Sequence, residues 1–308
     1  VKQLVLKGKG FWVAVVAIVV LAFGLTGCAG DGDGGNDKGQ GQAGARIIGI
    51  DPGAGIMSAT EKAIEEYNLN VALVEGSDAT MTAALQDAIN REEWIIVTGW
   101  SPHWKFSRWD LKYLEDPKGI FGGDETIETV ARLGLAEDMP EVYALLEKFS
   151  WTDAEIGAVM AMNMEGGDPA ENARIWVDEN QALVQRWLPD EELASAEKGD
   201  VTILYVEWEC ATASTHVVKA VLEDLGYNVE VKSVAAALMW QGLAQGDGDF
   251  CTTAWLPLTH GQYLEEFGDQ VDIVNTNYEG ARIGLVVPSY VEIDSIEEIN
   301  DNMDKFTY

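Results

Sequence analysis

Residues 203–218, ILYVEWECATASTHVV, change character at Trp208. Ile203 to Val206 form an apolar run of strand length, and small and hydroxyl residues follow. Val217, Val218, Val221, Leu222 and Leu225 then recur at helical spacing, with Gly226 closing the pattern. The stretch reads as a buried strand that delivers an indole into the turn before a helix. Serial strand–turn–helix units place such turns along one edge of a parallel sheet, where open α/β folds collect ligands.

The same alternation extends in both directions. From Val201 the chain runs VTILYVEW, a helix over 214–225, VEVKSV, a helix over 235–244, DFCTTAW, then VDIV and RIGLVV. An earlier block runs RIIGI from Arg46, SATEKAIEEYNL with a Ser58-x-x-Glu61 capping box, VALVEG, TMTAALQDAI and EEWIIVTGW. Two such blocks predict an α/β protein of two lobes, each a mainly parallel sheet flanked by helices. Residues 46–200 are assigned to the first lobe and 201–287 to the second. The first assignment includes a helical segment, 124–190, with helices at 125–134, 140–149, 152–163 and 169–187, and a charged connection over 188–200.

The amino-terminal region is separate. Lys2, Lys7 and Lys9 precede an apolar run from Phe11 to Phe23 that ends in Leu25-Thr26-Gly27-Cys28. Residues 1–27 therefore read as a secretory signal peptide. The quartet resembles the lipobox of bacterial lipoproteins, which makes Cys28 the expected lipidation site and membrane anchor. Residues 28–45 are rich in glycine and nearly free of apolar side chains, so a flexible linker is expected. The folded part should lie on the extracytoplasmic face of the cell membrane. Cys210 and Cys251 fall at opposite ends of neighbouring parallel strands in this alignment, and no disulfide is expected between them.

The chain carries 52 acidic and 20 basic residues, a formal charge of −32. Such a field disfavours nucleic acid as a partner. It suits a protein working in high salt, where self-repulsion is screened, and points to a halophile.

Four strand ends carry the functional signal. RIIGI leads into Asp51-Pro52-Gly53-Ala54-Gly55-Ile56, and EEWIIVTG into Trp100-Ser101-Pro102-His103-Trp104. TILYVE leads into Trp208, and DFCTTA into Trp255-Leu256-Pro257-Leu258-Thr259-His260. Three indoles facing one space suit a cation that cannot donate hydrogen bonds, such as a quaternary ammonium. Three desolvated contacts contribute roughly 6 kcal/mol, and micromolar affinity needs about 8, so a second anchor is expected. The first N–H groups of a helix opening at Gly55 and Ile56 favour a carboxylate or phosphate there.

GIDPGAGIMSATEKAI, VTGWSPHWKFSRWDLKYLEDPKGIFG, YVEWECATASTHVVKAVLEDLGY and AWLPLTHGQYLEEF resemble the glycine-betaine and proline-betaine substrate-binding proteins of ABC transporters. The resemblance implies a two-lobed periplasmic-binding-protein fold of type II-like build, with the ligand cleft between lobes. The block order, GIDPGAG first and VVPSYVEIDSIEEINDNMDKFTY last, resembles the family's circularly permuted branch. Residues 288–308 should then return to the first lobe. The resemblance maps the ligand box onto Trp100, Trp208 and Trp255 as an aromatic cage, with Gly55 and Ile56 main-chain donors and His260 on the ligand carboxylate. Trp104 is a near neighbour able to exchange roles with Trp100. Trp94, Trp109, Trp151, Trp176, Trp187 and Trp240 are assigned to packing.

These readings predict a monomeric lipoprotein receptor that captures glycine betaine and passes it to a permease with its ATPase. Proline betaine, carnitine, choline, ectoine and dimethylsulfoniopropionate are alternative ligands, and a sensor module is an alternative use of the fold. An enzyme would rest on His103, His216 and His260, which occupy three blocks without ligand-like spacing. No nucleophile elbow is present, and no cofactor, metal or catalytic residue is expected.

Overall fold

The computed structural model describes residues 45–190, 193, 198–306 and 308. The expected signal peptide, Cys28 and nearly all of the expected linker lie outside the described residues. The linker's last residue does not: Ala45 is buried, and its carbonyl accepts the Ala72 N–H at 3.1 Å, so the fold starts one residue earlier than expected.

The first half contains β1 (Arg46–Ile48), α1 (Gly55–Glu66), β2 (Ala72–Val74), α2 (Asp78–Arg91), β3 (Ile96–Ser101), α3 (Lys105–Arg108) and β4 (Leu111–Tyr113). β1 lies between β2 and β3, parallel to both. Helix α1 opens at Gly55, so Ser58 and Glu61 stand inside it, and the capping box expected there does not form. Helix α2 does carry one: Ser77 accepts the Thr80 N–H, and the Thr80 hydroxyl accepts the Ser77 N–H.

The remaining chain forms β5 (Glu125–Arg132), α4 (Leu135–Asp138), α5 (Pro140–Lys148), α6 (Asp153–Glu165), α7 (Pro169–Glu179) and α8 (Gln181–Val184). These are followed by β6 (Asp200–Tyr205), α9 (Glu209–Asp224), β7 (Asn228–Ser233), α10 (Ala236–Gln245), β8 (Phe250–Leu256), α11 (Gly261–Phe267) and β9 (Val271–Pro288). The strands align as β2-β1-β3-β9-β5-β8-β6-β7, with β4 also paired to β9. β6, β7 and β8 are parallel, whereas β5 and β9 run antiparallel to their neighbours. Each half is thus a parallel core of three strands, joined through the long β9 ribbon that the sequence presents as two shorter strands.

Two sequence expectations fail over 124–190. The helix expected at 125–134 is the strand β5, paired to β8 on one side and β9 on the other. Ile127, Val130 and Ala131 imitate a helical stripe, but β-branched Thr126, Ile127, Thr129 and Val130 fit a central strand. The misleading glutamates are buried and satisfied across the sheet. Glu125 accepts the N–H groups of Leu258 and Thr259, and Glu128 accepts the Thr276 hydroxyl. Helices α6 and α7, grouped with the first lobe in the sequence, pack on α9 of the second.

Residues 289–306 run back along the first half. Asn300 donates to the Asn68 carbonyl and accepts the Asn70 N–H, both at 2.9 Å. Phe306 meets Trp94 edge-on at 5.3 Å. Both cysteines in the described region, Cys210 and Cys251, are free and buried.

Candidate functional site

The candidate residues stand at or just beyond the carboxyl ends of β1, β3, β6 and β8. Strands β3 and β8 are buried almost throughout, which fixes the backbone from which Trp100 and Trp255 project. Trp208 is the N-cap residue of α9. Trp208, with Trp100 and Trp255, walls a small cavity, together with Ile50, Ala54, Ile56, Thr259 and Ile283. The walls come from both halves and from β9 between them.

The structure therefore brings together four of the six ligand residues named from the sequence on one cavity wall: Trp100, Trp208, Trp255 and Ile56. Gly55 and Ile56 are the first two residues of α1, where backbone N–H groups have no intrahelical acceptor. Gly55 also has a steric reason to be glycine. A Cβ there would lie 1.9 Å from the Thr259 carbonyl oxygen, so the start of α1 meets the β8–α11 turn backbone to backbone.

His260 is fully buried and tilted against Trp208, ring centroids 5.7 Å apart. Its Nδ1 accepts the Trp255 N–H at 3.1 Å. Burial pushes its pKa down to about 3, so the ring is neutral and carries its proton on Nε2. Among the described residues that Nε2 is buried without a partner, as is the indole nitrogen of Trp255. The site thus combines apolar ring surface with an unspent neutral donor.

Sequence reasoning missed how the three indoles are braced. Trp208 Nε1 donates to Asp51 Oδ2 at 3.3 Å, and the Tyr263 hydroxyl donates to the Gly53 carbonyl at 3.0 Å, both bonds crossing between halves. Trp100 meets His103 edge-on at 4.8 Å. Lys105 is fully buried with Nζ 3.9 Å from the Trp100 ring centroid. Burial lowers Lys105 to about 7 despite the opposing charge of Asp78, and burial with the Asp78 charge raises Glu209 to about 7. His103 belongs to this packing. Among the described residues no three His, Cys, Asp or Glu side chains are grouped to hold a metal ion. Trp104 packs on His103 and Trp109, at 5.2 and 5.3 Å.

Residues 34–179 and 199–308 match the family described as the substrate-binding domain of ABC-type glycine betaine transport systems. The chain belongs to this family. A family relative, the glycine betaine/carnitine transport binding protein GbuC of Listeria monocytogenes, is 37% identical over 294 residues, covering 93% of this chain and 97% of the relative. Lactococcal OpuAC, solved in its closed form with glycine betaine, is 44% identical over 47% of this chain and 57% of its own, with a TM-score of 0.45. ProX of Borrelia burgdorferi is 41% identical over 48% of this chain and 57% of its own, with a TM-score of 0.46. The aligned parts span less than two thirds of those two solved chains. The family is one of substrate-binding components of transporters and is not enzymatic.

Proposed function

We propose that this protein captures glycine betaine between its two halves and delivers it to an ABC-type permease. The observation that carries this reading is the convergence of Trp100, Trp208 and Trp255, from three separate strand ends, on one small cavity. Trimethylammonium has no N–H to donate, so ring faces are the partners it can use. The carboxylate goes to the Gly55 and Ile56 N–H groups and to His260 Nε2–H, each a donor without an acceptor inside the fold's own bonding pattern. Carnitine, named for the Listeria relative, presents the same two ligand ends and is the second reading.

In this reading the chain is an extracytoplasmic monomer held to the membrane through a lipid on Cys28. No described helix is long and apolar enough to cross a membrane. The charge of −32 fits work at high ionic strength, where compatible solutes are needed. Isothermal titration of the chain from residue 29 onward with glycine betaine, carnitine, choline and proline, at low and high salt, tests the assignment. One-to-one binding that ranks betaine above choline is expected. Folded protein that takes up choline as tightly as betaine would remove the carboxylate anchor from the reading.

A further inference from the structure

Helix α9 begins without a cap of its own. Its N-cap residue is Trp208, whose side chain makes no capping bond. The first helical N–H, that of Glu209, instead donates to Asp78 Oδ2 at 3.2 Å. Asp78 stands at the start of α2, in the other half of the molecule. Its Oδ1 accepts from His103 Nε2 at 3.0 Å, and His103 Nδ1 in turn accepts the Lys105 N–H at 3.0 Å. Asp78 is 3% exposed and His103 4%, so both bonds lie in a dry interface.

We propose that Asp78 is a closure-positioning residue that caps α9 from across the cleft, holding Trp208 in the cage while the halves are together. Opening the cleft parts Asp78 from Glu209 and leaves the α9 start to water, so the cage wall loses its support as the ligand leaves. The inference rests on the betaine reading above, because it assigns Asp78 a part in retaining that ligand. His103 locks the carboxylate's direction, since its Nδ1 is spent on Lys105 N–H and its proton must sit on Nε2. Lys105 supplies the positive charge beside the two carboxylates that closure brings close. At Asp78 burial alone would raise the carboxyl, but His103 foremost, then Lys105 and the Glu209 N–H, hold it below its ordinary value.

The test is stopped-flow tryptophan fluorescence with glycine betaine on the wild type, Asp78→Ala, the isosteric Asp78→Asn and His103→Gln, with small-angle scattering on the same samples. Asp78→Ala should raise the dissociation rate roughly 10-fold, the usual worth of a helix cap, and leave the association rate within about twofold. His103→Gln keeps a donor for Oδ1 but removes the ring beside Trp100, so its dissociation rate should rise, by less than that of Asp78→Ala. Scattering should show a larger radius of gyration for the betaine-saturated Asp78 variants. Should Asp78→Ala not fold, Asp78→Asn gives the same readout with a smaller rise. Unchanged dissociation in a variant of normal melting temperature, or equal changes in both rates, would overturn the proposal. A wild type with no betaine response would instead fail the ligand reading. The proposal would then stand or fall on scattering of the unliganded proteins, where it requires the Asp78 variants to be more open than wild type.

Discussion

Two groups of tryptophans in this chain look alike in the sequence and are built differently. Trp151, Trp176 and Trp187 gather with Phe149, with ring centroids 5.0 to 6.4 Å apart, and every member comes from the helical stretch between β5 and β6. Trp187 spends its indole N–H on the Ser150 carbonyl at 2.9 Å. Trp100, Trp208 and Trp255 come from both halves, keep space between them, and are steadied by His103, Asp51 and His260. The first group fills its own volume; the second draws its members from both halves around a shared space. An aromatic cluster made within one layer serves packing, and one made across a cleft is free to serve a ligand.

The sharpest way to separate the groups is to block the meeting of the halves. Gly55→Ala puts a methyl group into the Thr259 carbonyl, where neither backbone can yield without moving a half. A cost of about 3 kcal/mol on closure, roughly 100-fold in betaine affinity, is expected, with little change in thermal stability of the ligand-free protein. Calorimetric binding and melting measured together check this. A large loss of melting temperature with binding intact would mean that Gly55 serves folding and not closure.

Exchanging damage between the two groups comes next. Trp208→Ala should weaken betaine binding roughly 10-fold or more by removing one wall of the cage. Trp151→Ala should leave the affinity of the folded protein nearly unchanged but cost about 3 to 5 kcal/mol of stability, as removal of a large buried ring does. Denaturation and titration of both variants give four numbers. Equal affinity losses would erase the distinction. His260→Ala is expected to be milder and selective, lowering betaine affinity several-fold, near 1 kcal/mol for one hydrogen bond, while choline affinity changes less because choline has no carboxylate. Parallel losses for both ligands would place His260 among the packing residues.

The convergence of the three indoles on one space was legible in the sequence because strand ends are legible. The apolar run at 203–206 leads through Glu207 to Trp208, and the run at 249–255 ends in Trp255, which puts both indoles at the carboxyl edge of a sheet whatever the tertiary detail. What stayed hidden depended on pairing. The strand β5 passes for a helix because its two buried glutamates look like a solvated face, and their partners lie 133 and 148 positions away, at Leu258 and Thr276. β9 reads as two strands because the polar stretch between VDIV and RIGLVV gives no sign that it bridges both halves. The Asp78–Glu209 bond joins residues 131 positions apart, and an aspartate after Ser77 reads locally as an ordinary helix-start charge. Periodicity reports the local face of an element; it carries no information on which distant element covers that face.

The smallest effect on affinity is expected from pH, and it discriminates how His260 acts. Buried and neutral down to about pH 3, His260 offers the ligand an N–H and not a full charge. The ratio of betaine dissociation constants between His260→Gln and wild type should therefore stay constant within about twofold from pH 5 to pH 8. An imidazolium partner would behave otherwise: the wild-type advantage would be present below about 6.5, the ordinary histidine value, and lost above it. Stability of the ligand-free protein should show the complementary trend. With a folded-state pKa of about 3, depressed from 6.5, His260 binds fewer protons in the folded chain than in the unfolded chain throughout that window. Stability thus rises with pH from about 3 to 6.5 and falls on acidification, by at most about 1.4 kcal/mol per unit from this group. His103, lowered to about 4 by burial and then by the Lys105 charge, adds a slope of the same sign, whereas Glu209, raised to about 7, opposes it between its ordinary value and 7. Comparing wild type with His260→Gln cancels those two contributions. Denaturant titrations from pH 6.5 to 4 should then show wild type losing stability faster than the variant. Parallel curves would mean that the imidazole is charged in the folded protein, and the neutral donor would have to be given up.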